Sequence, residues 1–318
     1  MKKILFFSAA AALMLASCAN EETVQAPKGN AIDFGNAFVN NSTRADITTA
    51  NIANFGVYGY MDEVAGVVFN NEQVSGSGNS WTYTNTQYWT ADHNYWFAAI
   101  APFGAADFTA PATLPATGTA EFGTIAYDNS KQLDLLYANQ NNIAGKASGN
   151  AKVAFTFNHL LARTQFTFTH AATNNNVKFQ VSAVKITDAV KEGTITLGEN
   201  AAWAAKEGDA GMELSYSTAA TDITSTNKTL VSGQQYIIPV AQEYNVTFTV
   251  AVYNGLVLVG NYDKTVKIPA TVAFARGNSY NFTCALTYEN VVDNAEPIVF
   301  DVTEVTKWED FGNTDIDM

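Results

Sequence analysis

Cysteine, histidine, positive charge and long apolar runs are all scarce in this chain, and each shortage excludes something. Its 318 residues include two cysteines, three histidines and 17 Lys plus Arg against 30 Asp plus Glu, for a formal net charge of −13. One cysteine, Cys18, closes an N-terminal signal pattern, so Cys284 has no partner and no intrachain disulfide can staple the fold. Stability must come from packing and backbone pairing. Sparse, dispersed Lys and Arg argue against nucleic acid as a partner, because phosphate binding needs clustered positive charge. His93, His159 and His170 lie far apart in sequence, and no Gly-rich phosphate loop, Cys-x-x-Cys, His-Glu-x-x-His or Gly-x-Ser-x-Gly motif occurs. Neither catalytic nor metal-binding residues are indicated, and no cofactor is expected. Beyond the first fifteen residues no apolar run approaches the length of a membrane-spanning helix.

What is present begins at the N-terminus. Met1-Lys2-Lys3 supplies a positive start, Ile4 to Leu15 an apolar run, and Leu15-Ala16-Ser17-Cys18 a cleavage box of the bacterial lipoprotein kind. Lipid on Cys18 would hold a precursor to a membrane, since each buried methylene contributes roughly 0.8 kcal/mol. Residues 1–18 are therefore read as signal and lipid anchor, and the polar Ala19-Asn20-Glu21-Glu22 as the start of a tether. Acidic residues just after a lipidated Cys resemble surface-export signals, which predicts an outer-membrane precursor facing the outside. A lone Arg44 follows Asn40-Asn41-Ser42-Thr43, a polar stretch of the kind where nicking is tolerated.

The remainder alternates with the period of strands. Val153, Phe155 and Phe157 alternate with Ala154, Thr156 and Asn158; Val177, Phe179 and Val181 and then Val246, Phe248, Val250 and Val252 do likewise. Asn254-Gly255 between apolar runs predicts a tight hairpin with a type I′ turn. Clusters at Asn70 to Ser80, Asn139 to Asn150 and Thr221 to Asn227 are read as breaks, the second as a domain boundary. Short helical turns are expected near Ser130 to Ala138 and His159 to Arg163. The fold expected is all-β, two tandem antiparallel sandwiches over residues 45–150 and 151–290, with 291–318 as a C-terminal segment and tail. His159 and Cys284 are read as packed structural residues, His170 as a capping or loop residue, Asp92-His93 as a turn, and Glu309 to Asp317 as a solvated tail. The aromatics Tyr88-Trp89, Tyr95-Trp96-Phe97 and Phe103 fit either a β core or a glycan-stacking platform.

Taken in order, several short segments resemble the fimbrillins, lipoprotein-derived pilins of surface fimbriae. These are the lipobox, Thr43-Arg44-Ala45, Phe55-Gly56-Val57-Tyr58-Gly59-Tyr60, Tyr88-Trp89 leading to Trp96-Phe97-Ala98-Ala99, Asp134-Leu135-Leu136-Tyr137-Ala138, Phe157-Asn158-His159-Leu160-Leu161-Ala162-Arg163, Gly277-Asn278-Ser279-Tyr280-Asn281-Phe282, and Ile298-Val299-Phe300 with Trp308. The resemblance implies transthyretin-like sandwiches of fimbrillin type and cleavage between Arg44 and Ala45 by an arginine-specific protease. That cut would remove 19–44 and free the subunit from its lipid. It implies other fimbrial subunits as partners, with a host or bacterial surface receptor beyond them.

Strand physics gives polymerisation a route of its own. Removing a strand opens an apolar groove with unpaired backbone, which another chain's extended segment can fill. The strand lost is Ala31-Ile32-Asp33-Phe34, with Ile32, Phe34 and Phe38 expected on one face. The C-terminal segment offers Ile298, Phe300 and Val302 in the same alternation. Segment 298–302 either donates to a neighbour or closes its own sheet, and alternation alone does not decide. The leading reading is a stalk pilin without catalytic activity; the alternatives are a tip adhesin, a non-polymerising surface lipoprotein binding glycan or host protein, and an enzyme acting on a surface polymer.

Overall fold

The computed structural model describes residues 30–40, 47–62, 67–115 and 120–307. Cys18, Arg44, Ala45 and the acidic tail lie outside the described residues. Among those described, nineteen strands numbered β1 to β19 in chain order form four sheets, and no helix is long and apolar enough to cross a membrane. The fold is all-β, as the alternation predicts.

The first sheet comprises β1 (Phe34–Val39), β2 (Asn54–Met61), β3 (Val67–Ser77), β4 (Ser80–Thr82), β5 (Asn94–Ala101), β8 (Leu136–Ala144) and β9 (Val153–His159), in the order β1-β9-β8-β5-β2-β3-β4. It curls until β1 contacts β4, enclosing an aromatic core of Phe34, Phe55, Phe69, Trp81, Trp89, Phe97, Phe155 and Phe157. β6 (Asp107–Thr109), β7 (Thr124–Asp128), β12 (Glu192–Thr196) and β13 (Trp203–Ala205) form a small sheet ordered β13-β12-β7-β6. A central core lies against it, joining Tyr58, Trp96, Ile100 and Tyr137 to Leu160, Leu161, Ile195, Trp203 and Ile238. β5 explains its own composition here. Tyr95, Phe97, Ala99 and Ala101 face the aromatic core, while Trp96, Ala98 and Ile100 face the central one, so a strand covered on both faces reads as a continuous apolar run rather than an alternating one.

The C-terminal sandwich stacks two four-stranded sheets. One contains β15 (Thr229–Ile237), β10 (Ala162–His170), β18 (Asn278–Leu286) and β19 (Asp301–Lys307); the other contains β14 (Met212–Tyr216), β11 (Val177–Ala189), β16 (Tyr244–Asn254) and β17 (Val257–Ile268), each in that order. Val177, Phe179, Val181, Val246, Phe248, Val250 and Val252 all point into the core between them.

Several local expectations are corrected. Strand pairing crosses the boundary expected at 150/151: β9 pairs with β1 and β8, and β12 pairs with β7. Residues 139–144 belong to β8, so the Asn- and Gly-rich stretch largely serves a hairpin, and the chain passes to the second half at the buried Leu160-Leu161. Asn70 to Ser77 is strand, not a break, with Asn70 and Asn71 exposed at an irregularity of the β2–β3 pairing where Asn71 takes a φ of 56°. Of the two helical turns expected, only a 3-10 turn at Asn129–Lys131 forms, 136–138 and 162–163 being strand, and a π-helical turn stands instead at Glu289–Asp293. The 252–257 hairpin forms with its turn one residue later, since Asn254 pairs with Val257. The loop is Gly255-Leu256, and only Gly255 has positive φ, 64°, which fits a type II′ turn. Two pairs, β1 with β9 and β10 with β18, are parallel rather than antiparallel; long connections permit both.

Candidate functional site: the leading-strand groove

The expected leading strand lies at the edge of the first sheet. Asn30 reaches the Trp89 carbonyl through Nδ2 at 2.6 Å, accepts from the Trp89 amide at 2.9 Å, and its Oδ1 accepts from Asn150 at 2.7 Å. The Ile32 amide donates to the Gln87 carbonyl at 2.8 Å, and the Ile32 carbonyl accepts from the Tyr83 hydroxyl at 2.7 Å. Burial raises the Tyr83 pKa, which keeps that hydroxyl a donor. The Val153 amide then donates to the Asp33 carbonyl at 2.8 Å. From Phe34 the strand runs parallel to β9, with Phe34 opposite Val153 and Val39 opposite Phe157.

Its side chains fill the aromatic core. Ile32 is fully buried, and the Phe34 ring lies 5.5 Å from Tyr83, 5.7 Å from Phe69, 6.0 Å from Phe155 and 6.2 Å from Phe55. Phe38 does not share that face; it is 48% exposed, while Ala37 and Val39 are buried. The cause is a register shift between Phe34 and Ala37, which reverses the inward parity. Gly35 sits at the start of that irregularity, where an added Cβ would come within 3.2 Å of the Lys152 Cβ.

Both ends of the segment carrying Arg44 are tied down. On one side the Asn40 amide donates to the Phe157 carbonyl at 2.8 Å, and the Val39 amide to the Thr49 hydroxyl at 2.9 Å. On the other, the Ile47 amide donates to Asp134 Oδ2 at 3.1 Å. Asp134 Oδ1 lies 2.7 Å from His159 Nδ1, with both side chains buried, so His159 is a packed structural residue tying β9 to the start of the chain after Arg44. Sequence reasoning missed Asn30, Tyr83, Asn150 and Asp134 as holders of this region. Their partners are distant in sequence, and no local pattern signals them.

The candidate donor segment lies on its own sandwich. The Phe300 ring packs 5.2 Å from Phe166, 6.0 Å from Phe248, 6.2 Å from Phe168 and 6.4 Å from Phe282, and Ile298 packs against the same core. Val302 does not follow them inward but is exposed, opposite Phe282 where β19 pairs antiparallel with β18. The structure thus brings Ile32 with Phe34, and Ile298 with Phe300, into two separate cores. β1 and β19 are both edge strands, each held by one ladder.

The remaining candidates resolve as packing. Trp89, Tyr95, Trp96 and Phe97 are core, leaving only Tyr88 and Phe103 of the aromatic stretch exposed. His93 pairs with Asp62 at 2.9 Å rather than with Asp92, and His170 Nε2 lies 3.0 Å from the Val177 carbonyl. Cys284 is buried, which pushes its thiol pKa up to about 12. Among the described residues no group of three or more His, Cys, Asp or Glu stands close enough to hold a metal ion.

Among the described residues the chain is all-β, with a buried leading strand at the edge of its first sheet. The chain belongs to the fimbrillin-like family, whose model matches residues 43–308. It is similar in fold to a fimbrial protein of Bacteroides vulgatus, at TM-score 0.60 and 17% identity over 88% of this chain and 100% of that one. It is also similar to a candidate cell adhesion protein of Bacteroides uniformis, at TM-score 0.51 and 20% identity over 88% and 98% of the two chains. A search of curated proteins finds no match. Family membership supports a fimbrial structural or adhesive role at the cell surface, in contact with other fimbrial subunits.

Proposed function

We propose that this protein is a stalk pilin, made as a precursor lipidated on Cys18, cut between Arg44 and Ala45, and polymerised by donor-strand exchange. The observation that carries the reading is the leading strand: Ile32, Phe34, Ala37 and Val39 are buried in the aromatic core, yet from Phe34 onward the backbone forms a single ladder at the sheet edge. Full burial contributes roughly 1.5–3 kcal/mol for each of the three larger side chains. Loss of the strand therefore removes an amount comparable to the whole stability of a domain, about 5–15 kcal/mol. A subunit cut at Arg44 needs a replacement.

Segment 298–302 of a neighbour supplies one. With Ile298 at the Ile32 position and Phe300 at the Phe34 position, Asp301 falls at Gly35. There a Cβ is tight against Lys152, but the Lys152 ammonium offers the carboxylate a partner. Anchored residues on both sides of 41–46 support a cut that separates the leaving strand from a chain start that stays docked through Asp134.

The test is to treat the purified, signal-free precursor with an arginine-specific protease, sequence the new N-terminus, and run the product unheated on a denaturing gel. A start at Ala45 with a heat-dissociable ladder is expected. Clean cleavage without a ladder overturns the polymer in favour of a tip adhesin or non-polymerising binder, and resistance at Arg44 overturns maturation itself.

A further inference from the structure

The chain holds three arginines, Arg44, Arg163 and Arg276, and the last two are kept from solvent in different ways. Arg163 lies in β10 between two ladders, opposite Tyr236 of β15 and Ser279 of β18; it is 3% exposed and donates through Nε to the Ser279 hydroxyl at 2.9 Å. A peptide must leave its sheet and extend to enter a protease cleft, so Arg163 is reached only when the sandwich itself opens. Arg276 instead sits in the loop between β17 and β18, after an exposed Ala275 and before Gly277. Exposed loops of small residues are where nicking concentrates, so local sequence alone makes Arg276–Gly277 as good a target as Arg44–Ala45.

Three sets of contacts oppose a cut there. Both terminal nitrogens of the guanidinium donate to Glu121 Oε2 at 3.1 Å, the two side chains being 29% and 21% exposed. The Gly277 amide, which would become the leaving amine, donates to the Leu161 carbonyl at 2.8 Å, and Gly277 holds a φ of 69° instead of an extended value. The Ala275 amide donates to the Tyr280 hydroxyl at 2.7 Å, which in turn donates to the Ala273 carbonyl at 3.0 Å. Glu121 is not part of the C-terminal sandwich. Its neighbours are fixed to β8, where Asn139 and Asn141 donate to the Ala120 carbonyl at 3.0 and 2.7 Å and the Tyr137 hydroxyl donates to the Phe122 carbonyl at 2.9 Å. The side chain of Arg276 is therefore engaged only while the two halves of the chain are docked.

We infer that Arg276–Gly277 is a latent second site for the arginine-specific protease, masked by Glu121 in the docked chain and open to hydrolysis once the halves part. The inference rests on the maturation reading above. In the cut, water adds to the Arg276 carbonyl carbon as the C–N bond breaks, leaving a carboxylate on Arg276 and an amine on Gly277. β18 stands between β10 and β19, so this cut takes from the subunit an inner strand of its sheet together with segment 298–302. One protease then matures a docked subunit and disables an undocked one before it can donate.

The test treats the precursor and its Glu121→Ala and Tyr280→Phe variants with an arginine-specific protease and sequences the new N-termini over time. Losing a charge-assisted pair shifts a local opening equilibrium by roughly tenfold. Fragments starting at Gly277 are thus expected about ten times faster from Glu121→Ala than from the wild type, and faster also from Tyr280→Phe, which frees the Ala275 amide. A start at Thr164 reports opening of the whole sandwich, because Arg163 is released only then. Gly277 starts that precede Thr164 starts, and vanish in a Glu121→Ala/Arg276→Lys double variant, are the expected result. Gly277 starts that appear only together with Thr164 starts, or at the wild-type rate in both variants, overturn the latent site. Resistance of the wild type at Arg44 overturns maturation separately, while the Gly277 rates in the variants still decide the masking.

Discussion

Replacing Phe34 by Ala in the uncut precursor tests whether the leading strand is structural. The ring is buried among Phe55, Phe69, Tyr83 and Phe155, and the cavity left behind is walled by other aromatic rings that cannot readily collapse. Truncating a buried Phe costs about 3–5 kcal/mol through lost transfer energy and the residual cavity. Four residues along the same strand, Phe38→Ala provides the internal control, because a half-exposed ring outside the core costs within about 0.5 kcal/mol. Urea unfolding followed by tryptophan emission is the assay. Trp81 and Trp89 belong to the same aromatic core, and the Trp81 ring lies 4.9 Å from Phe55, so two of the five tryptophans report on the half in question. A lower midpoint with unchanged slope is expected for Phe34→Ala, and a midpoint close to wild type for Phe38→Ala. Equal losses at the two sites, or less than 1 kcal/mol at Phe34, would refute the placement of β1 and with it the groove.

Three other outcomes follow from the same geometry. Phe300→Asp is expected to abolish the heat-dissociable ladder while circular dichroism and monomer elution stay native, since Phe300 is only partly buried at the margin of its own core; loss of the fold would remove the donor role. Asp134→Ala removes the carboxylate that holds buried His159 and the Ile47 amide, so a loss of about 1–3 kcal/mol is expected in thermal unfolding, with faster proteolysis near residue 47. Cys284, with its pKa raised to about 12 by burial, is expected not to react with a thiol reagent at pH 8 until the protein is denatured. Its contribution to stability is fully present below the ordinary thiol pKa and is lost as pH rises from there through about 12. Reaction of the native protein at pH 8 would contradict the burial.

The fold class was legible because alternation is local. Val153, Phe155 and Phe157 point the same way in any sheet that buries one face, so the pattern survives ignorance of the partner strand. What could not be read was everything set by partners. The residues after Asn139 look like a linker by composition, yet 139–144 is strand, and β9 beyond them returns to the first sheet beside β1. Phe38 follows Ile32 and Phe34 in strict alternation, but the irregularity at Gly35-Asn36 turns it outward. The aromatic stretch 88–103 was undecided because a strand covered on both faces has no polar side to identify it. Asp134 and His159 stood in separate motifs, and only the fold joins them.

Exchange needs a direction, and the burial of the two phenylalanines supplies one. Phe34 is nearly inaccessible within a closed aromatic core, whereas Phe300 is only partly buried at the margin of its own sandwich, beside the exposed Val299 and Val302. Moving segment 298–302 from its own edge into a neighbour's vacated groove exchanges a shallow site for a deep one while one edge ladder replaces another. Backbone pairing therefore nearly cancels, and the apolar side chains decide. Before cleavage the deep site is filled by Phe34 of the same chain, at an effective concentration no separate segment can match, so the precursor holds its own groove shut. On the proposed reading, severing the chain at Arg44 would leave the leading strand on its lipid anchor and no longer joined to the subunit, so that once displaced it loses the intramolecular advantage. The reading thus requires exchange to be downhill only after the cut, with the intact precursor remaining monomeric at any concentration where the cut subunit polymerises.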